Sequence, residues 1–356
     1  MSDIAGAFAQ QVGYCRALGS PLTAALLDAA RADFEANGVC FQLLSDHRGD
    51  PVADVLALRL SGFLHERALS GAADGLAKFY PSCGGAFDPD DADAMWAAAR
   101  DVLETQEAAA RDFLRYTPQT NETARAAALL AGFSEVHRRT GLPLALNEIG
   151  ASAGLNLMFD RYRYTLGDRH WGASDSPLEI AAEWNGVAPE LVFPIPVADR
   201  NGCDIAPIDI SDASARRRLE AYVWADMPER RARLLNAMAA IGAEIPRIAR
   251  ADAADWVAER LAHVQEGCVA VIFHSTMWSY LDAGRQERIT QIITEAGARA
   301  TPTAPIAWVR METPRGKKLP ILDYRLWDGG AEIHEKLAVC HPHGARVDFY
   351  DPVSSA

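Results

Sequence analysis

The chain has 356 residues, 49% of them hydrophobic and 23% charged, with a formal net charge of −13 at pH 7. Such a composition belongs to a globular chain long enough for two domains and excludes a disordered one. The acidic balance disfavours general binding to nucleic-acid phosphates, and the basic clusters at 216–218 and 230–233 read as solvated helix faces.

No apolar run reaches membrane-span length, and the opening MSDIAGAFAQQVGYCRALGS lacks the basic-then-apolar order of a secretory signal. Cys15, Cys40, Cys83, Cys203, Cys268 and Cys340 are scattered, with no C-x-x-C pair. A cytoplasmic protein with reduced thiols and no metal centre is expected.

The first ~140 residues follow helical periodicity. Helices are expected over 21–38, 52–69, 92–116 and 122–141, the last stopped by Gly141 and Pro143, with a Gly/Pro/Asp-rich loop over 80–91. From Leu144 short apolar runs alternate with helical patterns, which predicts a parallel sheet with crossover helices. The expected strands are 144–149, 191–198, 246–251, 268–273 and 305–311. The expected helices are 153–161, 213–242, 253–264 and 283–297. The 213–242 stretch should divide in two, with Asp226 capping the second helix and Pro228 in its first turn. An inserted hairpin is expected near 162–186 and a terminal hairpin on the sheet edge within 319–350. The organisation expected is a helical region over 1–117 followed by an α/β domain over 118–356.

The segment 144-LALNEIGASAGLNL-157 admits two chemistries. GASAG matches the G-x-S-x-G elbow of serine hydrolases, which would make Ser152 a nucleophile, with Asp252 and His274 or Asp323 and His341 or His343 as partners. The helical stretch upstream leaves no place for the earlier strands and oxyanion loop of that fold. The alternative is a cofactor loop, with Glu148, Gly150, Ala151, Ser152 and Gly154 between a strand and a helix start. The spacing G-x-x-x-G departs from the dinucleotide fingerprint G-x-G-x-x-G, which points to a cofactor without a pyrophosphate.

These residues resemble the first motif of class I S-adenosylmethionine-dependent methyltransferases, with Glu148, Gly150 and Gly154 matching and Ser152 standing where the family usually has a glycine. In the same order, 202-GCDIAPIDI-210 resembles the segment whose acid accepts the ribose hydroxyls, matched by Asp204 with Asp209 as an alternative. The segment 250-RADAADW-256 resembles the third motif, so that Asp252 and Ala253 would meet the adenine. The resemblance implies a doubly wound, mostly parallel seven-stranded, Rossmann-like sheet with S-adenosylmethionine at its strand ends. It covers about residues 118–350. The combination 118-PQTNE-122, 147-NEIGASAGLNL-157, 160-DRYRY-164, 200-RNGCDIAPID-209 and 341-HPHG-344 is also similar, almost end to end, to a bacterial domain-of-unknown-function family. That likeness implies the fold and no established reaction.

Around the loop, Gln119, Asn121 and Glu122 are three polar residues at a helix start, and beyond its cap role Asn121 suits the cofactor pocket. Asn156 suits a local cap or the cofactor carboxylate. His274, ending the fourth strand, and its weaker companion Tyr280 are the candidate catalytic pair, His274 as the base for the acceptor proton. Asp160, Arg161 and Arg163 read as a salt-bridged turn, and H-P-H-G as a turn without metal. The function expected is methyl transfer from S-adenosylmethionine to a small-molecule or protein acceptor. The rivals are a serine hydrolase and a non-catalytic binder of the same cofactor or a nucleoside.

Overall fold

The computed structural model describes residues 3–242 and 244–351. The chain divides into two compact units, one comprising residues up to Thr120 with Asp209–Ala232, the other comprising Asn121–Ile208 with the chain from Arg233 onward. The segment Asp209–Ala232 therefore belongs with the early helices, whereas chain order alone had put it in the α/β domain.

The first unit is helical, with Ile4–Ala17, Pro21–Glu35, Leu56–Leu69, Ala92–Thr105 and Ala213–Ala221 among its helices. Its core joins Phe8, Leu27, Phe63, Leu103 and Tyr222. The expected helix over 92–116 breaks at Gln106 (φ −122°) into Ala92–Thr105 and Glu107–Phe113. That over 52–69 starts only at Leu56, after Val55 at φ +49°. Two helices do occupy 213–242, Ala213–Ala221 and Pro228–Ile241. Asp226 has a different role from the one expected. Its carboxylate accepts Ser20 Oγ–H at 2.5 Å and the Leu22 amide at 2.9 Å, so it caps Pro21–Glu35 from a distance in sequence.

Among the described residues the second unit is built on eleven strands, not the seven expected. They are β1 (Leu144–Ile149), β2 (Arg163–Leu166), β3 (Arg169–Trp171), β4 (Glu179–Asn185), β5 (Val197–Asp204), β6 (Arg247–Arg250), β7 (Val269–Ser275), β8 (Ile306–Glu312), β9 (Ile321–Trp327), β10 (Ile333–Cys340) and β11 (Arg346–Phe349). Their order is β3-β2-β4-β11-β10-β9-β8-β7-β1-β5-β6. The sheet is mostly parallel, with antiparallel pairing confined to β8/β9, β9/β10, β10/β11 and β2/β3. The terminal strands lie inside the sheet, not on its edge, because β11 pairs parallel with β4 of the insertion.

Two further corrections follow from backbone chemistry. The strand expected over 191–198 begins only at Val197, since Pro194 and Pro196 have no N–H to give a ladder. The helix expected over 153–161 is a 3-10 segment, Leu155–Arg161, interrupted at Met158. Helix Ala126–Thr140 covers one face of the sheet, packing on β8 and β9 and closed at Gly141 in the left-handed region. Helices Ala253–Ala262 and Ala283–Gly297 pack on each other on the other face, over Ile149, Ile272 and Trp308. β1 and β7 are buried along their whole length, as fits strands covered on both faces.

Candidate functional site

β1 lies between β5 and β7. After β2, β3 and β4 have been laid down at the far edge, the chain adds β5 and β6 on one side of β1, then β7 and β8 on the other. The carboxyl ends of β1 and β7 thus flank the point where strand order reverses, the place where open α/β sheets accept ligands.

The loop after β1 has three left-handed residues in five, Gly150 (φ +67°), Ser152 (φ +54°) and Gly154 (φ +75°). A Cβ on Gly154 would lie 2.7 Å from Ile248 Cδ1, and one on Gly150 3.1 Å from Met277 Cβ. Both glycines are therefore required by conformation and by packing of the loop against its own unit. Ser152 has a Cβ in the same region of backbone space, a strained position of the kind that clusters at functional sites.

Four amides of the loop, those of Ala151, Ser152, Gly154 and Leu155, bond within the unit. Ala151 N–H donates to Cys203 O at 3.0 Å, Ser152 N–H to Asp204 Oδ2 at 2.9 Å, Gly154 N–H to Ala151 O at 2.7 Å and Leu155 N–H to Asn121 Oδ1 at 2.9 Å. Asp204 also takes the Ala206 amide at 2.8 Å, so each of its oxygens accepts a backbone N–H. Asp209 binds its own neighbour Ser211 instead.

What the loop leaves open is a set of buried side-chain oxygens. Glu148 Oε2, Ser152 Oγ and Asn156 Oδ1 are buried without a hydrogen-bond partner, and the residues are 2%, 6% and 2% exposed. Asn156 lies beside Glu148, close enough to favour its ionised carboxylate. Burial pushes the Glu148 carboxyl well above the usual carboxylate range. Asp204 pushes it the same way, while Asn156 and the Arg125 charge oppose. Thr276, just beyond β7, adds a fourth buried oxygen without a partner, Oγ1, on a β-branched residue at φ +55°.

Several residues that brace this region were not singled out from sequence. Arg125 donates from Nε to Pro342 O at 2.9 Å and from Nη1 to Ser275 O at 3.3 Å, tying the 341–344 turn to the end of β7. The H-P-H-G segment is the connection of β10 to β11, with His341 Nδ1 accepting the His343 amide at 3.1 Å. Asn147 is bound within the strand layer, its Oδ1 accepting Arg260 Nε–H at 2.8 Å. Among the described residues no group of three or more His, Cys, Asp or Glu side chains is placed to hold a metal ion.

His274 is fully buried at the end of β7 and has both ring nitrogens engaged. Trp308 Nε1–H donates to its Nε2 at 3.1 Å, and its Nδ1 lies 2.7 Å from Glu312 Oε1. The indole can only donate, so Nε2 is the acceptor and Nδ1 carries the proton. A general-base role has no free lone pair to work with, which corrects the expectation for this residue. Glu312 in turn accepts the amides of Met277 at 3.0 Å and Trp278 at 3.2 Å. An acid ending a parallel strand was the available sequence signal for it. Tyr280 sits 74% exposed in the short turn Trp278–Tyr280.

Of the remaining expected residues, Glu122 is buried and caps Thr123–Arg125, with Arg233 Nη1 donating to its Oε1 at 3.1 Å. Gln119 falls in the first unit. Asp252 caps helix Ala253–Ala262, of which Ala253 is the buried first residue, through Oδ1 and binds Arg285 Nε–H through Oδ2 at 3.0 Å. Burial would raise its carboxyl, but Arg285 and the amides of Ala254 and Asp255 more than offset that and hold it below the ordinary range. Ser152 has no histidine or carboxylate on its hydroxyl, so the elbow reading finds no base there.

Comparison with family models places residues 5–349 in the family described as "Uncharacterized protein conserved in bacteria (DUF2332)", and the chain belongs to that family. No curated protein matches it. No helix among the described residues is long and apolar enough to cross a membrane.

Proposed function

From this family membership and the strand-end geometry, we propose that the second unit is a methyltransferase-like domain that binds S-adenosylmethionine where β1 and β7 end. We further propose that it transfers the methyl group to a small-molecule or protein acceptor. The observation that carries the reading is the trio of buried oxygens, Glu148 Oε2, Ser152 Oγ and Asn156 Oδ1, left without donors at the switch point. Buried acceptors without partners are costly, and a ligand rich in donors, such as an amino-acid ammonium, satisfies them. The order β6-β5-β1-β7-β8 with reversed β9 supports the same reading.

In this reading Glu148 and Asn156 hold the amino-acid end, Asp204 meets the ribose hydroxyls, and Asp252 with Ala253 borders the base. The bound sulfonium supplies an already electrophilic methyl group. What the chain supplies is therefore positioning and exclusion of water. His274 acts through Glu312 as a positioning residue for the 276–278 segment, leaving no assigned proton acceptor. Acceptors that release their proton to solvent suit such a site.

The test is thermal shift with S-adenosylmethionine and S-adenosylhomocysteine, followed by methyl transfer to extracts. At a hundredfold excess over Kd a ligand adds about 2.7 kcal/mol of stability. No stabilisation at millimolar ligand would sink the reading. Stabilisation without transfer to any acceptor supports a non-catalytic binder.

A further inference from the structure

The helical unit contains a serine with a base already on it. Ser82 lies in the turn Pro81–Cys83, half-buried, and its Oγ is 2.7 Å from Nε2 of His65 on helix Leu56–Leu69. On the far side of the ring, His65 Nδ1 is 3.1 Å from the carbonyl oxygen of Ala221. A carbonyl only accepts, so Nδ1 carries the proton and Nε2 offers its lone pair to the Ser82 hydroxyl. This is the nucleophile–base–orienter arrangement of acyl-transfer sites, with a backbone carbonyl as the third member.

The surroundings hold the pair in that state. His65 is 3% exposed and packs edge-on against Tyr80 at 5.6 Å between ring centroids. The Ser82 amide donates to Ala225 O at 2.9 Å, fixing the serine backbone. Arg231, itself bonded to Glu220 at 2.9 Å, exerts its charge on both His65 and Cys83. A cavity of about 30 Å³, lined by His65, Tyr80, Thr23 and Thr120, has room for one water molecule beside the ring. The amides of Cys83, Gly84 and Gly85 all donate to Tyr80 or Pro81 carbonyls, so the turn keeps no N–H for an oxyanion. That limits the substrate class to esters with good leaving groups, whose attack needs least help at the carbonyl oxygen.

We propose that Ser82 is a nucleophile activated by His65, accepting acyl groups from activated esters at a site within the first unit. Ser82 Oγ attacks the carbonyl carbon while its proton moves to His65 Nε2. The bond from that carbon to the leaving oxygen then breaks, the departing alcohol takes the proton, and an ester remains on Ser82.

The native full chain is treated with a fluorophosphonate probe, which the same attack phosphonylates with loss of fluoride, and the adduct is located by peptide mass spectrometry. The expected result is one adduct on Ser82, forming on the order of 100-fold faster than on the urea-unfolded chain. Ser82→Ala removes it, and His65→Gln slows it by about tenfold or more. No adduct, an adduct that maps to Ser152 or another serine, or equal rates for native and unfolded chain overturns the proposal. Should His65→Gln fail to fold, the native-to-unfolded comparison on the wild-type chain decides by itself.

Discussion

Glu312 accepts the Nδ1–H of His274 at 2.7 Å and turns what looked like a catalytic histidine into a brace. The same carboxylate holds two backbone amides of the segment after β7, and Trp308 closes the other side of the ring. The chain Trp308–His274–Glu312 therefore fixes Met277 and Trp278, with Met277 set against Gly150 across the β1/β7 junction.

A brace has a different mutational signature from a base. His274→Phe leaves the Trp308 indole N–H without its buried partner and takes one of two donors from Glu312 Oε1, and should cost about 1–3 kcal/mol in urea denaturation. If methyl transfer is found, its pH profile should keep its shape in a His274→Gln chain that still folds. Loss of an ionisation near neutrality from that profile would reinstate the base.

Glu148 is held with a raised carboxyl pKa, principally by burial. Such a group binds more protons in the folded than in the unfolded chain above its ordinary pKa, so stability falls as pH rises there. Glu148→Gln should raise the thermal midpoint at neutral and alkaline pH, on the order of a few degrees, and reduce stabilisation by S-adenosylhomocysteine. A variant less stable than wild type at pH 8 contradicts the unpaired burial.

His65 titrates in the opposite sense. Burial, reinforced by Arg231 and only partly opposed by its backbone hydrogen bonds, lowers it from 6.5 to about 4. The unfolded chain binds the extra proton between those values, so its contribution is complete above pH 6.5 and is lost as pH falls towards 4. The loss should approach about 3 kcal/mol, a slope that urea titrations from pH 7 to 4 should show and His65→Gln should remove.

Ser152 and Gly154 should respond oppositely to a change of one carbon. Ser152→Gly relieves a left-handed φ of +54° and removes a buried hydroxyl without a partner, with an expected gain of about 1 kcal/mol. Gly154→Ala, at φ +75° and 2.7 Å from Ile248 Cδ1, should lose about 1–3 kcal/mol. Thermal midpoints decide both, and a destabilised Ser152→Gly would mean that the hydroxyl has a stabilising partner.

The sequence determined much of this local structure by itself. Helical periodicity located the early helices, Gly141 closed the helix before β1, and continuous apolar runs located β1 and β7, because each signal is a property of a few neighbouring residues. Glu148, Ser152 and Asn156 were legible because small residues after an apolar strand mark a loop at the strand end. Only the tertiary structure decided the rest. Asp226 reaches back to cap a helix some two hundred residues earlier, and β11 is drawn beside β4 into the middle of the sheet. His274 loses its free lone pair to Trp308 of the next strand, while Ser82, unremarkable in sequence, gains His65. Pairings at such separations leave no trace in local pattern, since what fixes them is satisfaction of buried donors and acceptors, which exists only once the chain has closed.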